Sequence, residues 1–115
     1  MRTIILVAMA LALGAAGALA ADKKGTRFWN LTSETQAEVS LAPAGTSVFG
    51  PNQCINDKDG TVETDEQLRI TGVAPGIYDV RLRNIKGRIC FARKVAVKAD
   101  AIFSLQDKDL MDCTP

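Results

Sequence analysis

The strongest constraint on this chain is an alternation of apolar and polar residues, with a period of two, between residues 26 and 105. Clusters of Gly, Pro, Asn and Asp interrupt it, and no long stretch has the 3.6-residue period of an amphipathic helix. This pattern is typical of all-β proteins, whose strands bury one face and expose the other. We therefore predict a small antiparallel β-sandwich of about six or seven strands, with a small closed β-barrel as the alternative.

The predicted strands span residues 26–31, 35–42, 67–71, 77–83, 88–98 and 101–105. Apolar residues in phase on the last three strands predict a core of Tyr78, Val80, Leu82, Ile89, Phe91, Val95, Val97, Phe103 and Leu105. Arg93 falls on the same face as these residues, so either a β-bulge changes the phase of the fifth strand or Arg93 lies at the rim of the sheet. So small a domain has little interior left for a substrate-sized cavity once its core is filled.

The first 20 residues have the features of an export signal. Arg2 precedes an apolar run that ends in Ala18-Leu19-Ala20, the small-x-small form that signal peptidases cut. We predict cleavage before Ala21, a single domain over residues 21–115, and a soluble product that is periplasmic or secreted. An uncleaved membrane anchor is the alternative, because a run of this length just spans a bilayer.

Charge and composition argue against several classes of function. Residues 21–115 carry 13 Lys and Arg against 13 Asp and Glu, since Arg2 is the one charged residue before them. This balance argues against a nucleic-acid binder, which needs a basic surface. The chain has no histidine, so its serines lack the commonest base and metal sites lack the commonest ligand. We therefore expect no enzymatic activity and no catalytic residues.

Cys54, Cys90 and Cys113 predict one disulfide and one remaining thiol in an exported chain. Three pairings are open by counting. We favour Cys90 with Cys113, because the hairpin of the last two strands returns the chain to the neighbourhood of Cys90. Loop entropy gives such a bridge a stabilisation of roughly 3 kcal/mol. Cys54 is then unpaired or bonded to another molecule.

The segment from residue 50 to residue 66 holds five of the 13 acidic residues. Gly60 and Glu66 match part of a calcium-loop template, but Ile55 fills its first position and no helix flanks it, which excludes an EF-hand. A calcium site in a loop between strands stays open, with hard oxygen ligands from Asp57, Asp59, Glu63 and Glu66. The competing interpretation is a solvated acidic turn.

Two further features indicate contact surfaces. Phe28 and Trp29 are neighbours on the first strand and must point to opposite faces, so one aromatic ring marks that strand as a contact edge. A basic contact face for an anionic partner is predicted from Arg81, Arg83, Arg88 and Lys94. A solvated sheet face is the competing interpretation of this basic group.

Several short motifs follow one another along residues 21–115: Asn30-Leu31-Thr32, Leu41-Ala42-Pro43-Ala44-Gly45, Phe49-Gly50-Pro51-Asn52, Tyr78-Asp79-Val80-Arg81 and Gly87-Arg88. Their order resembles a family of small, uncharacterised exported bacterial proteins, with Phe49 where that pattern usually has Trp. The segment Pro75-Gly76-x-Tyr78 is similar to transthyretin-like and carboxypeptidase-regulatory-like domains. Both resemblances imply a β-sandwich, Ig-like or transthyretin-like, and neither implies an activity.

Two functions follow from the sequence. The favoured one is a non-enzymatic interaction or structural module of the cell envelope, which contacts an envelope protein or a polysaccharide through one sheet. The alternative is a calcium-binding protein that uses the acidic loop at residues 57–66, with Ca²⁺ as its cofactor. Neither interpretation involves nucleic acid, or membrane insertion once the leader is cleaved.

Overall fold

The chain forms two three-stranded β-sheets. The computed structural model describes residues 25–115, so the predicted leader and its cleavage site lie outside the described residues. The strands are β1 (Arg27–Leu31), β2 (Gln36–Pro43), β3 (Gln67–Arg69), β4 (Gly76–Asn84), β5 (Ile89–Val97) and β6 (Ile102–Gln106). Short 3-10 helices lie at Gln53–Asn56 and Asp107–Asp109. Among residues 25–115, no helix has the length and apolarity needed to cross a membrane.

The predicted β-sandwich is confirmed, and the strands do not close into the alternative barrel. The first sheet has the order β3-β1-β6 and the second has the order β2-β4-β5. All pairs are antiparallel except β1 and β6, which run parallel with Phe28 beside Phe103. The parallel pair departs from the antiparallel arrangement that we predicted. It forms because the turn after β5 carries the chain across to the first sheet, where the last strand meets the first.

Inward side chains of both sheets fill the space between them. The two aromatic rings of the core, Phe28 and Phe103, lie 5.4 Å apart between their centroids. Cys54 and Val62, from the long connection between β2 and β3, close one side of the core. The largest aliphatic residues packed with them are Val39, Leu41, Leu68, Ile70, Val80, Leu82, Val97 and Leu105.

A β-bulge interrupts β5. Two residues of this strand, Arg93 and Lys94, lie opposite the single residue Asp79 of β4. Lys94 has a φ of 55°, a left-handed conformation that accommodates the extra residue. The bulge, rather than the rim of the sheet, therefore accounts for the out-of-phase arginine in the sequence.

The bulge also changes which residues of β5 face the core. Before it, Cys90 and Ala92 point inward and are buried, whereas Ile89 and Phe91 lie on the outer side and are partly exposed. The prediction of Ile89 and Phe91 as core residues was wrong, because it continued one alternation through the extra residue. The other predicted core residues are buried or packed against the core: Tyr78, Val80, Leu82, Val95, Val97, Phe103 and Leu105.

The buried side chain of Asp79 holds this bulge in place. Its carboxylate accepts hydrogen bonds from the backbone N–H of Gly45 at 3.0 Å and of Lys94 at 3.1 Å, and it pairs with Arg93 at 3.4 Å. The hydrogen bonds from Gly45 and Lys94, together with the charge of Arg93, lower the pKa of Asp79 despite its burial. Asp79 therefore joins β4, the bulge in β5 and the turn after β2.

We expect Asp79→Asn to lower the free energy of unfolding near neutral pH by about 1–3 kcal/mol, because two backbone donors lose a charged acceptor. Folding lowers the pKa of Asp79, so its contribution is complete above the ordinary value of 3.8 and is lost as the pH falls through the lower folded value. The difference between wild type and variant should therefore shrink in acid. Urea unfolding near neutral pH and below the ordinary pKa measures it.

Asp59→Asn is the matched control, because Asp59 is exposed in the loop after the first 3-10 helix. An equal loss of stability in both variants would contradict the role given to Asp79. So would a loss in Asp79→Asn that stays the same in acid.

Candidate functional site

The outer face of the second sheet is covered by the protein's own chain. Segment 44–51 folds back over it, and the ring of Phe49 lies 5.9 Å from the ring of Phe91 between centroids. The guanidinium groups of Arg81 and Arg93 lie over Phe49 and Phe91 respectively, each 4.4 Å from the ring centroid. These aromatic and cationic side chains therefore serve internal packing.

The outer face of the first sheet has no such covering segment within the described residues, and Trp29 lies at its centre. On this outer face, the side chains that belong to β3 and β6 are exposed, and those that belong to β1 are half-buried. The strand register places three rows of residues on this surface, which we call the Trp29 face: Arg27, Arg69 and Ile102, then Trp29, Gln67 and Ser104, then Leu31 and Gln106.

Hydrogen bonds fix the orientation of the Trp29 ring. Its indole N–H donates to the carboxylate of Asp65 at 3.0 Å. Asp65 has a φ of 71°, and its backbone N–H donates to the carbonyl of Asn30, so the carboxylate is itself held beside β1. Next to the ring, Arg27 donates to the side-chain carbonyl of Gln67 at 3.0 Å. The half-buried ring thus lies among polar side chains whose positions are already set.

A buried polar cluster fixes the end of β1 beside this face. The amide of Asn30 donates to the carbonyls of Glu34 and Val62, each at 3.0 Å. Its side-chain carbonyl accepts from the N–H and the hydroxyl of Thr32, and that hydroxyl accepts from Gln36. Because Asn30 is fully buried and bonded internally, the Asn-x-Thr sequon that it begins is not accessible for glycosylation in the folded protein.

The residues predicted as a basic contact face divide into separate places. Arg81 and Arg83 both form ion pairs with the carboxylate of Glu38, with N–O distances of 2.9 and 3.2 Å. Burial alone would raise the pKa of Glu38, but hydrogen bonds from Ser40, Arg83 and Arg81 outweigh it and lower the pKa. The single carboxylate of Glu38 is thus shared by two arginines, which it holds on the sheet.

The other two predicted basic residues lie elsewhere. Arg88 follows the β4–β5 hairpin turn and donates to the carbonyl of Thr114 at 3.1 Å. Lys94 lies in the bulge of β5, where its backbone N–H bonds to Asp79. The structure thus does not bring the four cations to one anion-binding point.

The carboxylates predicted as calcium ligands lie in the connection between β2 and β3. Glu66 accepts a hydrogen bond from the backbone N–H of Glu63 at 2.7 Å. Asp57 is half-buried after the first 3-10 helix, and Asp59 is exposed in the following turn. Within residues 25–115, no three Asp, Glu or Cys side chains form a group that could hold a metal ion. The calcium site stays a prediction from the sequence, without support from this arrangement.

A cleft of about 650 Å³ opens at the end of the sandwich where β2 begins and β4 ends. Glu34 and Lys86 form an ion pair at its rim, 3.8 Å apart. This volume lies within the range of small-molecule sites. The cleft is open to solvent and is not part of the space between the sheets, which core side chains fill. The other principal lining residues are Leu82, Arg88, Cys90, Asp107, Leu110 and Cys113.

The predicted disulfide between Cys90 and Cys113 is confirmed. It fastens the C-terminal tail beside β5, where Phe91 and Met111 exchange two backbone hydrogen bonds of 2.9 and 2.8 Å. Cys54 is unpaired and buried, and burial raises the pKa of its thiol to about 11. The thiol is therefore protonated at neutral pH and shielded from reagents.

Comparison of the chain with protein-family models, with curated proteins and with solved structures finds no match. Two of the motifs that carry the family resemblance meet in the fold, because Gly45 donates to Asp79. A third contributes Asn52, whose side chain bonds to the backbone of Ala37 and Val39 in β2. These motif residues stabilise the second sheet, and membership of the resembled family stays a prediction.

The sequence singled out Trp29 but was wrong to place it on an edge, because β1 lies between β3 and β6. It also missed the residues around Trp29. Asp65 comes from a loop, Gln67 from β3 and Ser104 from β6. They meet Trp29 only through the register of β1 with its two neighbours, and no local pattern in the sequence reports that register.

We expect the Cys54 thiol to resist iodoacetamide in the folded protein and to react fully after unfolding, because the thiolate is the reactive form. Intact-mass spectrometry before and after addition of guanidinium measures this. Cys90 and Cys113 do not react, because their disulfide is left unreduced. Rapid labelling of the folded protein would contradict the burial of Cys54. A peptide that links Cys54 to a second chain would show the intermolecular bond instead.

Proposed function

We propose that this protein is a non-enzymatic binding module of the cell envelope, periplasmic or secreted, which binds a polysaccharide through the Trp29 face. The observation that carries the proposal is the orientation of Trp29 at the centre of an open sheet face, with its indole N–H bonded to Asp65. The opposite sheet offers no comparable surface, since segment 44–51 lies over it.

The chemistry of the Trp29 face fits a sugar ring. A pyranose presents C–H groups on its faces, which pack on an aromatic ring, and hydroxyls at its edge, which need donors and acceptors. Gln67, Arg69 and Ser104 supply amide, guanidinium and hydroxyl groups, and all three are exposed. Because the sheet is open, several residues of an extended glycan can lie along it.

A polysaccharide fits this face better than a folded protein partner does. Specific protein interfaces bury about 800 Å² on each partner and centre on several buried apolar anchors. Here the apolar surface is limited to the half-buried rings and chains of Trp29 and Leu31 and to Ile102, which is 44% exposed. Polar side chains occupy the rest of the face.

The reactive groups of the described residues favour binding over catalysis. The Cys54 thiol is protonated and buried, so it is not a nucleophile. The carboxylates of Glu38 and Asp79 are ionised within internal ion pairs and hydrogen bonds, and their lowered pKa values suit neither a general acid nor a general base. These groups stabilise the fold.

The disulfide supports placement in an oxidising compartment. Such bonds persist in the periplasm and outside the cell rather than in the cytosol. This agrees with the export signal that the first 20 residues predict.

We expect soluble peptidoglycan fragments or another envelope glycan to change the fluorescence of the protein, because Trp29 is its single tryptophan. Contact with one ring and a few polar groups should give a dissociation constant of roughly 0.1–1 mM. Titration calorimetry then compares the variants, since Trp29→Ala removes the fluorophore. Trp29→Ala should abolish the binding heat, and Trp29→Tyr should keep part of it.

Ile85→Ala is the control variant, because Ile85 is an exposed apolar residue on the distant β4–β5 hairpin. Binding that survives Trp29→Ala would place the glycan elsewhere, and an absence of binding across an envelope glycan panel would refute the proposal.

Thermal melts with calcium and with chelator test the alternative function. A melting temperature raised by calcium alone would favour the acidic loop instead.

A further inference from the structure

The edges of the two sheets differ in how they are protected. An unprotected edge strand presents unpaired N–H and C=O groups and pairs readily with other chains, so proteins usually cover such edges. The outer edge of β2 is covered along its length. Gln36 exchanges two backbone hydrogen bonds of 2.9 Å with Val62, the side chain of Asn52 bonds to Val39, and Gly50 N–H bonds to a carbonyl of the same strand.

The edges of β3 and β5 are protected as well. β3 has three residues, and the side chain of Asn56 donates to the carbonyl of Arg69 at its end. The C-terminal tail covers the first half of β5, where the disulfide holds it, and the bulge at Lys94 interrupts the strand. Three residues, 95–97, follow that interruption.

Among the described residues, β6 has none of these devices along residues 102–105. It is the last strand of the first sheet and pairs with β1 on one side. Its five residues, Ile-Phe-Ser-Leu-Gln, include no charge, no proline and no bulge. Its outward side chains are exposed, with Ile102 at 44%.

The ladder with β1 shows which backbone groups lie on the open side of β6. The N–H of Arg27 donates to the carbonyl of Ala101 at 3.0 Å. In a parallel ladder, alternate residues bond to the neighbouring strand. The N–H and C=O groups of Ile102 and Ser104 therefore point away from β1, towards the open edge.

A groove of about 360 Å³ follows this edge between β6 and β5. Ala92, Val95 and Leu105 contribute apolar surface to it, and Lys94 and Lys108 lie at its rim. Within residues 25–115, neither lysine forms an ion pair, whereas Arg93 in the same groove is paired with two aspartates.

One carboxylate also lines the groove. It belongs to Asp109, which accepts a hydrogen bond from the N–H of Gln106 at 2.8 Å and so closes the end of the open edge. Lys94 and Lys108 are therefore the two cations of the groove that have no carboxylate partner within residues 25–115, and acidic side chains of a ligand can pair with them.

We propose that the open edge of β6 binds an extended segment of a partner protein, added as a further strand, in which small apolar residues alternate with acidic residues. Backbone hydrogen bonds to Ile102 and Ser104 would hold the segment, as in other β-strand additions. Because alternate side chains of a strand point to opposite faces, the added strand turns its acidic side chains into the groove, towards Lys94 and Lys108, and its small apolar side chains to the outer side. On that outer side the small apolar side chains lie beside the exposed Ile102 of β6.

A second copy of this chain fits the edge less well. Two β6 strands paired about a two-fold axis would bring the same lysine-rimmed groove against itself, so like charges would approach one another. The proposal does not rest on glycan binding, because it uses the backbone edge of β6 together with Lys94 and Lys108 rather than the ring of Trp29.

The experiment uses a fluorescent eight-residue peptide in which valine alternates with glutamate, tested against residues 21–115 by fluorescence anisotropy. Two matched peptides serve as controls. The first has lysine in place of glutamate, and the second has N-methyl groups on alternate amides, so that one edge of the peptide cannot donate hydrogen bonds. We expect the glutamate peptide to bind at least about tenfold more tightly than either probe, because one probe reverses the charge and the other removes backbone donors. In the NMR spectrum, the peptide should slow hydrogen exchange at the N–H groups of Ile102 and Ser104.

Two variants test the two parts of the site. Ser104→Pro removes an N–H on the open side, which an edge strand tolerates, and should weaken peptide binding at least about tenfold. Lys94→Glu combined with Lys108→Glu should reverse the preference between the glutamate and lysine peptides. Thermal melts of both variants show whether the fold is intact. Glycan titration of the lysine double variant shows whether the Trp29 face is intact, since Ser104 itself belongs to that face.

Equal binding of the N-methylated peptide would overturn strand addition, and equal binding of the lysine peptide would overturn the acidic preference. A dimer in solution that Ser104→Pro dissociates would identify a second copy as the occupant instead. The N–H groups of Ile102 and Ser104 should exchange rapidly in the protein without peptide. Slow exchange there, which persists at high dilution, would show that the edge is already covered and would refute the proposal. If Ser104→Pro fails to fold, the N-methylated peptide decides alone.

Discussion

Asp79 is a carboxylate taken out of water on the outer side of the second sheet, and much of the structure depends on the bonds that compensate its burial. Two backbone N–H groups and one arginine surround it. By accepting from Lys94 it fixes the bulge, and the bulge decides that Cys90 and Ala92, rather than Ile89 and Phe91, face the core. The position of Cys90 in turn determines where the disulfide can fasten the tail.

The same arrangement makes the two sheets unequal. Because Asp79 also bonds to Gly45, the segment after β2 is held over the second sheet, and the neighbouring, mutually tilted rings of Phe49 and Phe91 lie beneath two guanidinium groups. Charges that would otherwise favour an anionic partner are used inside the protein, as the pairing of Arg81 with Glu38 shows. As far as residues 25–115 are concerned, the first sheet keeps its outer face and one edge open.

The open surfaces lie on a rigid base. Asn30 connects the end of β1 to the loop before β3 through hydrogen bonds that leave none of its side chain exposed. Since Asp65 bonds to the backbone of Asn30 and accepts from Trp29, the orientation of the ring follows from the buried cluster. A preorganised surface loses little conformational freedom when a ligand binds, which suits a module that recognises rather than transforms its partner.

Local chemistry in the sequence was sufficient for the strands and for the covalent link. Period-two alternation and turn residues located all six strands within a few residues, because burial of one face imposes that pattern on each strand separately. The pairing of Cys90 with Cys113 followed from the short distance between a hairpin and the tail behind it. Tertiary structure alone decided the parallel pairing of β1 with β6, the neighbours of Trp29 and the open edge at Ser104. These features depend on which strands become neighbours and in what register, and that choice is made by packing between residues far apart in the chain, for which an alternation within one strand carries no signal.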